Sequence, residues 1–221
     1  MQVSPVAAAD SDLGHIDSEL WRQVRSETIQ LLGVPAGMQP SPYIVKKWRD
    51  REVGRVKAVE FGALHNGSAI AFRLAWQDPE QDVSRNDNEG FPDGAAVMFP
   101  LKDDAPLVLM GSKEQPVNAW HWRADRPELA RNNVAAGLGS SRVTRGSEIR
   151  TQARYRDDHW ELIFLRELKL PDVSTAVDFS PGQSAKVALA VWEGSNGERG
   201  GLKAFSPQWI ELTLGELKAK G

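Results

Sequence analysis

Residues 55–76, RVKAVEFGALHNGSAIAFRLAW, are the stretch whose reading decides the fold. Two β-favouring runs, Arg55–Leu64 and Ala69–Trp76, flank His65-Asn66-Gly67-Ser68, and the Asn-Gly pair supplies the positive backbone angles of a tight hairpin. In the second run Ile70, Phe72, Leu74 and Trp76 recur at period two. One face of the hairpin is therefore apolar and has to be covered by another layer.

The same grammar extends along the chain. Glu148–Arg156 and His159–Glu167 form a second hairpin across Asp157-Asp158; its first arm alternates and its second is apolar on both faces from Leu162 to Leu165. Ala95–Pro100 is a short buried strand, Lys186–Trp192 is apolar on both faces and so central, and Gln208–Leu212 closes the series after the glycine-rich turn Gly194–Gly201. Asp17–Val34 mixes a short helix around Ser18–Val24 with a strand-like Thr28–Leu32, and Pro35–Pro42 is a connector. Gln77–Pro92 and Asn132–Ser141 read as loops, and residues 1–14 as a flexible N-terminal tail. Hairpin connections and little helix predict a mainly β chain, an antiparallel β-sandwich with short flanking helices and long loops, built as one domain over residues 15–221.

The totals remove several function classes. With 27 basic and 30 acidic residues and no basic block, the chain has no electrostatic footprint for nucleic acid and no polybasic membrane anchor. No apolar run approaches the ~20 residues of a membrane helix. The absence of cysteine excludes disulfides, thiolate zinc sites, cysteine-ligated clusters and covalent haem attachment. Hydrolase, metalloprotease, P-loop and dinucleotide signatures are missing as well. Ala7-Ala8-Ala9 resembles the tail of an export leader, which would imply the periplasm. Eight tryptophans fit a large β core, an aromatic binding face or the lining of a flat cofactor site.

A second stretch is the candidate for chemistry. Pro106–Trp122, PLVLMGSKEQPVNAWHW, reads as a short apolar strand ending on Met110, a polar loop, and a strand from Val117 carrying Trp120, His121 and Trp122. Gly111 lets something flat approach the backbone beside the Met110 thioether, although methionine also serves simply to fill gaps in a core. Alternation puts His121 on the sheet face opposite the two indoles, whereas His15, His65 and His159 fall at a loose terminus and at hairpin turns, where surface placement is expected. The paired acids Asp87 and Glu89, and Asp157 and Asp158, fall in turns where carboxylates are solvated. Lys203, between Gly200-Gly201 and Phe205, is a lysine that can point inward; burial would push it towards the neutral amine, whose lone pair can ligate a metal.

Three runs, Ala63–Trp76, Phe91–Pro100 and Met110–Trp122, with Tyr155–Glu161 and Glu198–Ala204 continuing the match, resemble the haem-b-binding gamma subunit of ethylbenzene dehydrogenase and its relatives. Those relatives are the gamma subunits of periplasmic molybdenum enzymes of the dimethyl sulfoxide reductase family, among them chlorate and selenate reductases and dimethyl sulfide dehydrogenase. The resemblance covers Trp48 to Leu212. It implies a β-sandwich holding one non-covalent haem b, with Met110 and Lys203 as axial ligands and Lys113 or His121 as substitutes for the lysine. It further implies a non-catalytic subunit that relays single electrons between the iron–sulfur subunit of a complex and a soluble cytochrome c, with substrate turned over at molybdenum in another chain. The competing class is a carbohydrate-binding module stacking sugars on Trp120 and Trp122.

Overall fold

In the computed structural model, which describes residues 1–84, 90–102, 105–146, 148–171 and 174–217, strands dominate. Asp87 and Glu89 lie outside the described residues. In chain order come β1 (Gln2–Pro5), α1 (Asp10–Leu13), α2 (Leu20–Gln23), β2 (Glu27–Gln30), β3 (Leu32–Gly33), a single 3-10 turn (Ala36–Met38), α3 (Pro42–Trp48), β4 (Ala58–His65) and β5 (Ala69–Gln77). There follow β6 (Gly94–Pro100), β7 (Val117–Arg123), β8 (Leu129–Ala135), β9 (Arg142–Val143), β10 (Ile149–Arg156), β11 (His159–Glu167), β12 (Ser184–Trp192), β13 (Ala204–Phe205) and β14 (Ile210–Leu214).

The hairpin at 55–76 forms as its pattern dictates: β4 and β5 pair antiparallel from Glu60 with Ala75 to His65 with Ile70, and Gly67 turns the corner at φ 92°. β10 and β11 pair from Arg150 with Leu165 to Arg156 with His159, around Asp157 and Asp158, both at positive φ. The hydrogen-bonded path runs β14-β1-β4-β5-β11-β10-β8-β7-β6-β12, and β12 pairs again with β14, so the sheet closes on itself. The architecture is mainly β with a barrel-like sheet in which antiparallel pairs prevail; among the described residues only β1 pairs in parallel, with β14 on one side and β4 on the other.

The core lies inside this ring, where the period-two apolar faces meet. Phe72 of β5 has ring centroids of Phe99, Trp120 and Phe179 at 5.6, 5.5 and 5.9 Å, and Trp122 packs against Trp76 and Trp160 at 6.3 and 5.1 Å. Each such ring taken out of water contributes about 1.5–3 kcal/mol. The outer face of β4, β5 and β11 is covered by the N-terminal region: Leu13, Ile16, Trp21 and Val24 pack on Leu64, Ala71, Ile163 and Leu165. That cover is why β11 is apolar on both faces.

Four local readings are corrected. Leu107–Met110 is a turn, with Met110 N–H donating to Leu107 O at 2.9 Å, so Met110 does not end a strand. Asn132–Ala135, read as loop, belongs to β8; its Asn and Ala residues suit a strand because tertiary pairing with β7 overrides their weak β propensity. His65 is wholly buried, its Nε2 2.9 Å from Gly215 O, because β1 and the C-terminal segment cover the hairpin end. Within residues 1–14, set aside on composition as a tail, Val3 and Leu13 are buried in the two apolar clusters.

A polar knot holds the site's strands in register. Asp93, buried at the entry to β6, accepts from Gly194 N–H at 2.8 Å, Asp82 N–H at 2.9 Å and Trp160 Nε1 at 3.0 Å. Its charge faces desolvation, which pushes its carboxyl up to about 6 despite those donors.

Candidate functional site

β12, β6, β7 and β8 are neighbours whose inner faces build the aromatic core; their outer faces form the floor of a cleft of about 300 Å³. One row across the strands is Ala188, Met98, Ala119 and Asn133, and the next is Ala190, Ala96, His121 and Arg131. Alternation makes this unavoidable, because Val97, Trp120 and Leu189 point inward and their neighbours must point out. Four alanines in two adjacent rows leave a flat, apolar surface with room for a broad ligand.

Loops wall the cleft. Leu107, Val108 and Met110 come from the turn before β7, Leu138 from the segment after β8, Val34, Met38, Gln39 and Pro40 from the connector, and Gly200, Gly201 and Lys203 from the loop before β13. Met110 sits at φ 58°, a conformation that costs a non-glycine residue about 1–2 kcal/mol. Gly111 follows at φ 83°, where an added Cβ would meet Gln115 O at 2.8 Å and Ala135 O at 3.1 Å. The backbone thus holds the thioether over the floor by a turn that tolerates no side chain at 111.

The Lys203 loop is held as firmly. Glu198, buried, accepts from Gly54 N–H at 2.7 Å and Asn196 Nδ2 at 2.9 Å, and Val34 N–H donates to Lys203 O at 2.9 Å. Gly201 packs against Gln39, whose Nε2 donates to Gly201 O at 3.1 Å; a Cβ there would overlap the Gln39 amide. This anchoring turns Lys203 inward, and only 8% of its surface is exposed.

The two residues singled out on the cleft's chemistry meet. Lys203 Nζ lies 3.4 Å from Met110 Sδ, although 93 residues separate them. A thioether is a weak acceptor, and among the described residues it is the one hydrogen-bond partner that the amine has. Nζ also lies 5.4 Å from the centre of the Trp192 ring. Burial pushes the Lys203 amine down to about 8, closer to the neutral form that has a lone pair to donate.

His121 lies on the floor, its ring 4.9 Å from Trp192. Burial, then the charges of Arg126, Arg123, Lys203 and Arg131, pushes it down to about 3, so it is neutral at physiological pH. Lys113 is exposed and does not line the cleft. Trp120 and Trp122 are 0% exposed, so neither can serve as a sugar-stacking platform. The floor alanines, Trp192 and the Val34–Pro40 wall went unnoticed in the sequence; the signal available was small residues alternating with large ones in strands apolar on both faces.

Among the described residues no group of three or more His, Asp or Glu side chains is placed to hold a metal ion, which leaves the thioether and amine as the donor pair to consider. No helix among them is long and apolar enough to cross a membrane.

Comparison with known proteins bears on the fold and the family. Solved structures share the fold: a family 9 carbohydrate-binding module from Caldicellulosiruptor kristjanssonii, in complex with glucose, superposes with a TM-score of 0.56 over 100% of this chain and 97% of that one, at 10% identity. Sequence relatives include a Haloferax mediterranei protein named as a respiratory nitrate reductase heme subunit, 29% identical over 90% of this chain and 67% of that protein. The chlorate reductase subunit gamma of Ideonella dechloratans is 34% identical over 68% of this chain and 62% of its own length. The dimethylsulfide dehydrogenase subunit gamma of Rhodovulum sulfidophilum is 30% identical over 88% and 72%. The chain thus spans about two thirds of the length of these relatives. The ethylbenzene dehydrogenase family model matches residues 18–145 and 137–204, and the chain is accordingly a member of that family, among its gamma subunits.

Proposed function

We propose that this chain is the electron-transfer subunit of a periplasmic molybdenum oxidoreductase, binding one non-covalent haem b in the cleft with Met110 and Lys203 as axial ligands. One observation carries the reading: a buried lysine amine whose sole hydrogen-bond partner among the described residues is a methionine sulfur, 3.4 Å away in an apolar cleft. The donor set suits the group. A thioether and a neutral amine bring no charge into an apolar site, and the alanine floor accommodates a flat ring.

A haem held there supplies reversible one-electron exchange at its iron. Met110 and Lys203 would hold it, the thioether favouring the ferrous form and so raising the potential. Held by both residues, the haem would exchange electrons without binding oxygen or substrate, so the chain would conduct and not catalyse; substrate chemistry would belong to a molybdenum subunit, reached through an iron–sulfur subunit. A soluble cytochrome c is the outward partner. Val108 and Leu109, half exposed on the turn that presents Met110, offer an apolar rim where a redox partner approaches the cleft.

The experiment is an absorption spectrum of the purified chain, oxidised and then reduced with dithionite. A Soret band with sharp α and β bands on reduction is expected. Met110→Ala and Lys203→Ala should each lose haem or its low-spin spectrum while keeping the fold. No Soret band after addition of haemin would overturn the reading.

A further inference from the structure

The cleft is not uniform from end to end. Its Met110 end is rimmed by Leu107, Val108 and Leu138, all apolar. Along β7 the outward series runs Ala119, His121, Arg123, and on β8 Arg131 stands directly opposite His121 on the same face. The turn after β7 adds Arg126, whose N–H donates to Arg123 O at 3.1 Å. Arg123 and Arg131 thus share the outward face with His121, just beyond the residues that line the cleft, and Arg126 lies in the turn next to them.

Their charge is poorly balanced. Arg123 pairs with Asp125 at 2.5 Å, but among the described residues neither Arg126 nor Arg131 has an ion pair, and Arg126 Nε is buried with no hydrogen-bond partner. Burial and then the charges of Arg131 and Arg123 lower the Arg126 pKa, with the Asp125 carboxylate acting the other way. A chain does not ordinarily bury part of a guanidinium beside two others without an anion to meet it. A flat, apolar ligand lying on the floor with its negative charge at one edge would bring an anion to them.

We propose that Arg126 and Arg131, with Arg123 beside them, bind the two carboxylate groups of the porphyrin and so fix which edge of the ring faces β7 and β8. This rests on the haem reading above. Guanidinium groups suit the task because their planar forks pair with carboxylates through two parallel hydrogen bonds. The orientation leaves the apolar edge of the ring towards Leu107 and Leu138, beside the exposed Val108 and Leu109.

The test compares haemin with haemin dimethyl ester, which keeps the ring and iron but lacks both carboxylate charges. The full chain is loaded with each, and loss of the ligand to excess apomyoglobin is followed at the Soret band. The wild-type chain should hold haemin about tenfold longer than the ester or more. Arg126→Gln/Arg131→Gln should bring the two within about twofold, with the low-spin spectrum unchanged because Met110 and Lys203 are untouched. Arg131→Glu, at an exposed position that folding tolerates, should weaken haemin and spare the ester. Equal retention of haemin and ester by the wild-type chain, or discrimination that survives in the double variant, would overturn the proposal and leave the haem reading standing. Failure of both ligands to give a Soret band would overturn both.

Discussion

Replacing Gly111 by alanine tests whether backbone geometry is what presents Met110 to the cleft. Gly111 sits at φ 83°, so any side chain there costs about 1 kcal/mol in backbone strain. The new Cβ would also lie 2.8 Å from Gln115 O and 3.1 Å from both Ala135 O and Val117 N, all backbone atoms that cannot swing aside. Overpacking of this kind costs about 1–3 kcal/mol, so holding the native turn would cost about 2–4 kcal/mol in total. The turn itself is held by Met110 N–H to Leu107 O, Gly111 N–H to Pro106 O and Gly137 N–H to Met110 O, at 2.9, 2.9 and 3.1 Å. At about 1 kcal/mol each these three bonds are worth about as much as the strain, so the turn is the part that gives way. Gly111→Ala should therefore melt within a few degrees of the parent yet lose haemin affinity by an order of magnitude or change its low-spin spectrum. The assay pairs a thermal melt with a haemin titration at the Soret band. A variant with the parental titration, spectrum and melting temperature would refute the reasoning.

Other outcomes follow from the same structure. Ala119→Phe, in the middle of the cleft floor, should block haemin uptake while circular dichroism and the melting temperature stay near the parental values. Asp93→Ala leaves Gly194 N–H, Asp82 N–H and Trp160 Nε1 without their acceptor and should cost about 3–5 kcal/mol, read as a lowered urea midpoint. Asp78 is wholly buried, and desolvation, then the nearby Asp93 charge, raises it from 3.8 to about 7. Its folded state thus binds the proton more tightly than the unfolded chain, so its contribution to stability falls as pH rises from about 4 to 7 and is flat above. Asp78→Asn should match the parent near pH 4 and exceed it at pH 8, by about 4 kcal/mol at most, in denaturant titrations at the two pH values. An equal difference at both would contradict the burial argument.

The hairpins were legible because each was specified twice, by an alternating apolar face and by a turn that needs positive φ, as at Gly67 and at Asp157-Asp158. The closure of the sheet was not. β1 owes its pairing to partners about 60 and 210 residues away, and four residues, QVSP, carry no local signal for that. Leu107–Leu109 misled for a related reason: a run of apolar residues has no period to separate a strand from a turn that lines a cleft. At the site, Met110 and Lys203 stood out as residue types in odd places, and the resemblance pointed to the same pair. The alanine floor did not stand out, since Ala96, Ala119, Ala188 and Ala190 have meaning only when registered side by side across three strands. The arginine cluster is hidden in the same way, because Arg131 becomes a neighbour of His121 only through the pairing of β7 with β8.

The cleft floor is the back of the wall whose front faces the aromatic core. An occupant of the cleft therefore removes no residue from that core when it leaves, and the sheet does not depend on it for assembly. Binding then adds to stability through mass action alone, growing with the logarithm of free ligand over its dissociation constant. A chain of this design can fold first and be charged afterwards, and its melting temperature becomes a direct gauge of how much of it has been loaded.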